Sequence, residues 1–119
     1  MAGDWRAVPV DQEQAWRDAF AAYPYTAALP APCPLCGAHK LRQYYGRPKD
    51  DPRVLLGVKY KGLGALWEWC LSCKTYEHYS CLVPEAWVRP PLTIPEYYLK
   101  ACPEELAYAL EPVILSGWK

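Results

Sequence analysis

CPLCG at residues 33–37 and CLSC at residues 70–73 are two C-x-x-C units in one chain, and the residues between them read mostly as strand and turn. In such a unit the two-residue gap lets one tight turn aim both thiolates at a common cation, while backbone amides of the turn donate to the sulfurs. Together the units supply Cys33, Cys36, Cys70 and Cys73, a full set of donors for a tetrahedral structural site. One C-x-x-C alone is equally a redox motif; two in a reduced compartment favour metal. Iron accepts four thiolates too, and structural Zn2+ is the expectation where no redox role is visible.

Working outward, the 119 residues correspond to a single domain, 1–119, able to bury about two-thirds of the surface its unfolded form exposes. Hydrophobic residues make up 52% and charged residues 22%, so a packed core is expected despite 13 prolines. The opening MAGDWRAVPVDQEQAW has no cationic start followed by an apolar run, and nowhere do eighteen apolar residues occur in succession. The expectation is a cytoplasmic protein with no membrane segment, in which six cysteines need an explanation other than disulfides.

Residues 1–32 predict a helix and a connector. In PVDQEQAWRDAFAAY, Asp11 is placed to cap, and Trp16, Ala19, Phe20 and Tyr23 form an apolar stripe that Pro24 ends. Three prolines before Cys33 then make an extended link. Within 33–81, KLRQYY, RVLLGVKY and ALWEWC read as short strands separated by GRPKDDP and KGLG as turns, giving a small antiparallel sheet. Trp67 and Trp69 share one strand face and predict core, with Leu66 and Glu68 opposite. Residues 82–119 are a proline-rich wrap with short helices: Thr93 and Glu96 suggest a capping box, Pro103 opens a second helix with Leu106 and Leu110 inward, and Pro112 stops it. The fold class expected is α+β, a thin antiparallel sheet with an N-terminal helix and short C-terminal helices.

On Cys33, Cys36, Gly37, Cys70 and Cys73, residues 32–79 resemble a zinc ribbon, in which two cysteine knuckles at the ends of hairpins clamp one structural zinc. Gly37 suits the left-handed position after a knuckle. The second knuckle departs from the family pattern by carrying Lys74 there, and the pairs are further apart than in compact ribbons. His39, His78, Cys81 and Cys102 remain; His78 and Cys81 form H-x-x-C, which would replace a knuckle ligand or build a second metal or redox site, the alternative being ordinary buried thiols and surface histidines.

Catalytic machinery is not visible. PCPLC matches half of a zinc deaminase signature but no H-x-E precedes it, His78 and Cys81 would point to opposite faces of a strand, and a zinc held by four cysteines leaves no open position for water. The expectation is therefore a non-enzymatic binding module. Formal net charge is zero, yet residues 37–74 carry eight basic and three acidic side chains between acidic flanks. Either the flanks fold back over the basic middle, or that middle is a face. Six tryptophans and ten tyrosines exceed what a small core needs, which points to a protein partner, such as a toxin or enzyme that the chain inhibits as an immunity or antitoxin-type protein. Candidate contacts are Tyr44, Tyr45, Trp87, Tyr97, Tyr98, Glu104 and Glu105. The alternative is nucleic acid bound through Lys40, Arg42, Arg47, Lys59 and Lys61, with rings stacking on bases.

Overall fold

The computed structural model describes residues 5–46, 48–96, 99 and 102–117. In chain order these form β1 (Arg6–Ala7), a single 3-10 turn (Val10–Gln12), α1 (Glu13–Ala21), β2 (Leu41–Tyr45), β3 (Arg53–Leu55), β4 (Val58–Cys70), β5 (Thr75–Pro84) and α2 (Pro103–Leu115). The fold is α+β, a five-stranded sheet in the order β1-β5-β4-β2 with β3 also paired to β4. All pairings are antiparallel except that of β1, whose two residues run parallel to Thr75 and Tyr76.

The spine is β4. One long arm runs antiparallel along it: β2 pairs with residues 66–70, and beyond β2 the backbone amides of Gly46, Lys49 and Asp51 donate to the carbonyls of Ala65, Leu63 and Lys61 at 2.6, 3.0 and 3.3 Å. β3 completes the arm. RVLLGVKY is therefore two strands and a turn, not one strand: Leu56 and Gly57 take φ of 49° and 80°, the two successive left-handed residues of a type I′ hairpin turn. KGLG is likewise inside β4 rather than a turn. A Cβ on Gly62, whose φ is 144°, would collide with the Lys49 carbonyl oxygen, and one on Gly64 would lie 2.9 Å from Val83 Cγ2 and 3.2 Å from the Gly46 oxygen. These glycines are strand positions over which another backbone crosses, next to a register shift between Tyr60 and Gly62. From Cys70 the chain turns through residues 71–74 into β5.

Both faces of the sheet are covered. On one, Trp16 and Phe20 of α1 pack with Val8, Leu29, Leu41 and the cysteines at 33 and 70. On the other, Leu106, Ala107 and Leu110 of α2 pack with Tyr44, Trp67 and Trp69. The tryptophan pair is core, as the alternation predicts, and Leu110 and Trp69 are fully buried. The extended link before the first knuckle bonds along β2, Leu29 N–H to the Leu41 carbonyl and Gln43 N–H to the Ala27 carbonyl. Between α1 and the sheet, Trp16 Nε1 donates to Glu68 at 3.2 Å and the Tyr79 hydroxyl donates to the same carboxyl at 3.4 Å. Burial, and secondarily the neighbouring Glu77, push the Glu68 carboxyl up to about 7.

Helix ends depart from expectation. α1 begins after a 3-10 turn at Glu13, so Asp11 lies before it and makes no cap, and it ends at Ala21, leaving Tyr23 exposed outside the stripe. Thr93 does not cap; its amide and hydroxyl both donate to the Ala109 carbonyl of α2 at 3.1 and 3.0 Å. Pro112 does not stop α2: it lies inside the helix and is exposed, removing one donor without ending the element. Among the described residues no helix is long and apolar enough to cross a membrane.

Candidate metal centre

The two knuckles occupy the same end of the sheet because of how each enters or leaves a strand. The first, residues 33–36, precedes β2; the second begins at Cys70, the last residue of β4, and Leu41 at the start of β2 pairs with Cys70. Leu71 N–H donates to the Lys40 carbonyl at 3.1 Å, which ties the turns together.

Locally the knuckles repeat one another. Gly37 N–H returns to the Cys33 carbonyl at 2.8 Å and Lys74 N–H to the Cys70 carbonyl at 2.9 Å, each closing a turn from the first cysteine to the fourth residue after it. Both closing residues are left-handed, Gly37 at φ 79° and Lys74 at φ 53°. Lys74 thus takes the conformation its glycine counterpart takes, at a cost of roughly 1 kcal/mol for an L side chain. The missing second glycine changes the residue and not the geometry.

All four sulfurs lie within 4.8 Å of one another. Cys33 and Cys73 are 3.9 Å apart and Cys36 and Cys70 are 3.7 Å apart. A disulfide requires about 2.05 Å, whereas a tetrahedron with metal–sulfur bonds of about 2.3 Å has edges of about 3.8 Å. The cysteines are free thiols arranged so that their sulfurs could hold one metal ion. The sulfurs have hydrogen-bond partners: Leu35 N–H points at Cys33 Sγ at 3.4 Å, and the Cys73 thiol donates to Oγ1 of the fully buried Thr75 at 3.3 Å. With a metal bound, Cys73 would be a thiolate and the Thr75 hydroxyl would donate to it instead.

The thiols differ in exposure. Cys33 and Cys70 are buried, and burial pushes both up, Cys70 to about 12, while Cys36 is exposed and the Ala38 amide brings it down to about 7. A cation placed among them reverses the cost of burial, since its charge stabilises the thiolates that desolvation disfavours.

The remaining metal-type residues stay apart. Among the described residues the four knuckle cysteines are the group of three or more His, Cys, Asp or Glu side chains close enough to share an ion. His39 is exposed; His78 stacks on Trp67 with ring centroids 3.8 Å apart; Cys81 packs with Tyr45, Leu66 and Val83, and His78 and Cys81 thus face opposite ways. Cys102 Sγ lies 3.6 Å from a Glu105 oxygen.

Several expected contact residues are interior. Tyr44 and Tyr45 are 3% and 2% exposed, which removes them from any binding surface; adjacency on a strand sends them into different clusters, as expected, but both faces are roofed. Trp87 is half-buried against Tyr25, with its carbonyl accepting from the Tyr45 hydroxyl. Of the cations, Arg42 is 6% exposed and doubly bonded to Glu111 on α2, so an acidic flank does fold onto the basic middle. Lys61 Nζ is tied to the Tyr45 hydroxyl and the Trp87 carbonyl at 3.0 and 2.7 Å. Lys40 and Lys59 are exposed, as is Glu104, and Glu105 is half-buried. Arg47, Tyr97 and Tyr98 lie outside the described residues. Sequence reasoning missed the exposed turn at Leu56, for which the signal was a glycine, Gly57, inside an apolar run.

No family model, no curated protein and no solved structure matches the chain.

Proposed function

We propose that the chain is a non-enzymatic module stabilised by one structural zinc and that its partner is a protein. Zinc is favoured over other soft metals because four thiolates fill its preferred tetrahedral shell and leave no position for substrate. The observation that favours a protein partner over nucleic acid is the scattering of the basic residues. With Arg42 and Lys61 engaged internally and Arg53 paired with Asp51, the exposed lysines of this middle segment divide along β4, Lys40 and Lys74 at the knuckle end and Lys49 and Lys59 toward the other. Lys40 is bonded to the turn after Cys70, and the eleven residues from Lys59 to Cys70 span roughly 35 Å at about 3.3 Å per residue. A phosphate backbone needs contiguous cations. An inhibitor that covers a partner enzyme, of the immunity or antitoxin kind, is the version of this reading that size and composition suggest.

The test has two arms. Elemental analysis of native protein is expected to find one zinc per chain, and a titration with single-stranded and duplex oligonucleotides at low salt is expected to show no binding. Salt-sensitive binding that Lys40→Ala and Lys59→Ala weaken would replace the protein-partner reading with the nucleic-acid one.

A further inference from the structure

The edges of the sheet are finished differently. Along β2, the link before the first knuckle bonds to Leu41 and Gln43, and Arg89 Nη1 donates to the Tyr45 carbonyl at 2.7 Å. β3 is an edge of three residues that carries the Arg53–Asp51 ion pair. Short length and charge are means by which natural sheets keep an edge from pairing with another chain. β5 has neither. β1 pairs with Thr75 and Tyr76 alone, and it ends where Val8 N–H donates to the Tyr76 carbonyl at 3.0 Å. Because that carbonyl faces β1, alternation along the strand turns the N–H and C=O groups of His78, Ser80 and Leu82 away from β4 as well. Among the described residues none of these groups has a hydrogen-bond partner. The ladder with β4 is regular from Thr75 to Val83, and neither proline nor lysine interrupts β5 before Pro84.

We propose that this edge receives an extended segment of a partner protein, which joins β5 as a further strand beyond β1. The inference rests on the protein-partner reading above and names how that partner binds. The occupant follows from hydrogen-bond chemistry. Donors and acceptors recur along the edge at every second residue, about 6.7 Å, and an extended polypeptide meets both at that period. A phosphate backbone brings acceptors only and leaves the edge carbonyls unpaired. β1 shows this edge already pairing with a strand of its own chain, and the track beyond it is open: a cavity of 430 Å3, lined by Val8, Arg17, Glu77, His78 and Tyr79, lies where β1 ends. His78 and Ser80 are exposed. An added strand sets its side chains alternately beside Glu77 and Tyr79 on the α1 side and beside His78 and Leu82 on the other. On that second side Leu63, opposite Leu82, is 42% exposed, so the apolar residues of the segment belong there.

Panning a phage-displayed library of random decapeptides on the immobilised, metal-loaded protein is the experiment, with Ser80→Pro as the edge variant. Proline at position 80 removes an outward N–H and spares the ladder with β4, so the variant is expected to keep the wild-type melting curve and metal content. In the free wild type the amides of His78, Ser80 and Leu82 are expected to exchange faster than those of Glu77, Tyr79 and Cys81, which face β4. The library is expected to yield proline-free peptides in which apolar residues alternate. One such peptide, synthesised and titrated, is expected to slow exchange at His78, Ser80 and Leu82 and to bind Ser80→Pro about tenfold more weakly or worse. The exchange measurement uses the wild type, so it decides the matter even where Ser80→Pro misfolds. Edge amides already protected in the free protein, a library that enriches nothing, or peptides that leave the three amides unprotected or bind Ser80→Pro equally well overturn the inference. So does a wild type that sediments as a dimer which Ser80→Pro dissolves, a result that assigns the edge to a second copy. Failure here leaves the protein-partner reading to another surface, whereas oligonucleotide binding removes that reading whatever the peptides do.

Discussion

The two ends of β4 both depend on left-handed residues, and they use them differently. At the knuckle end, Lys74 is strained, but the turn it closes holds Cys70 and Cys73 within reach of Cys33 and Cys36, so a metal ion held there would offset the strain many times over. At the tip, Leu56 bears the same kind of strain in a turn whose apolar side chains stand in water. Equal backbone conformations therefore have opposite meanings: one is a cost inside a stabilising device, the other a cost that the isolated chain does not recover.

The largest effect is expected at the knuckle end. Structural zinc in small domains is worth roughly 10 kcal/mol or more, comparable to the entire stability of a domain this size. Cys70→Ser, or chelation of the native protein, is expected to abolish the cooperative thermal transition; a metal-free Cys70→Ser variant with a native melting curve would show that the sheet holds without the ion. Next comes the crossing between the ends. Gly62→Ala puts a methyl group onto the Lys49 carbonyl and is expected to cost about 3 kcal/mol or more in urea unfolding, because backbone, not a flexible side chain, must move. At the tip the sign reverses: Leu56→Asn is expected to stabilise the fold by about 1 kcal/mol, read as a raised melting temperature. Smallest is Lys74→Gly, where relief of strain is partly cancelled by the extra freedom glycine has when unfolded; a gain of roughly 0.5 kcal/mol is expected from denaturant midpoints, with zinc stoichiometry unchanged.

Much of the site was legible in the residues. The C-x-x-C spacing names its own ligands because chelation by a tight turn is a local property, and the alternation of Trp67 and Trp69 with Leu66 and Glu68 names a buried face because the strand period is local too. Where the reading failed, a distant backbone was responsible. Gly62 and Gly64 look like a turn until the backbone at Gly46, Pro48, Lys49 and Asp51 is seen to cross them, and RVLLGVKY looks like one strand until its middle proves to be a solvent-exposed bend. Arg42 looks like a surface cation until Glu111, sixty-nine residues later, closes on it.

The sequence by itself determined the four sulfurs, the strand-rich middle and the inward positions Trp16 and Phe20 of α1 and Leu106 and Leu110 of α2, since each follows from periods and spacings of a few residues. Only the tertiary structure decided which aromatic rings are sealed beneath α1, α2 and the wrap, which cations are neutralised, and that apolar surface remains at the turn between β3 and β4. Those outcomes depend on which segments meet across the fold, and burial or pairing of a side chain is a property of the segment that covers it as much as of the residue itself.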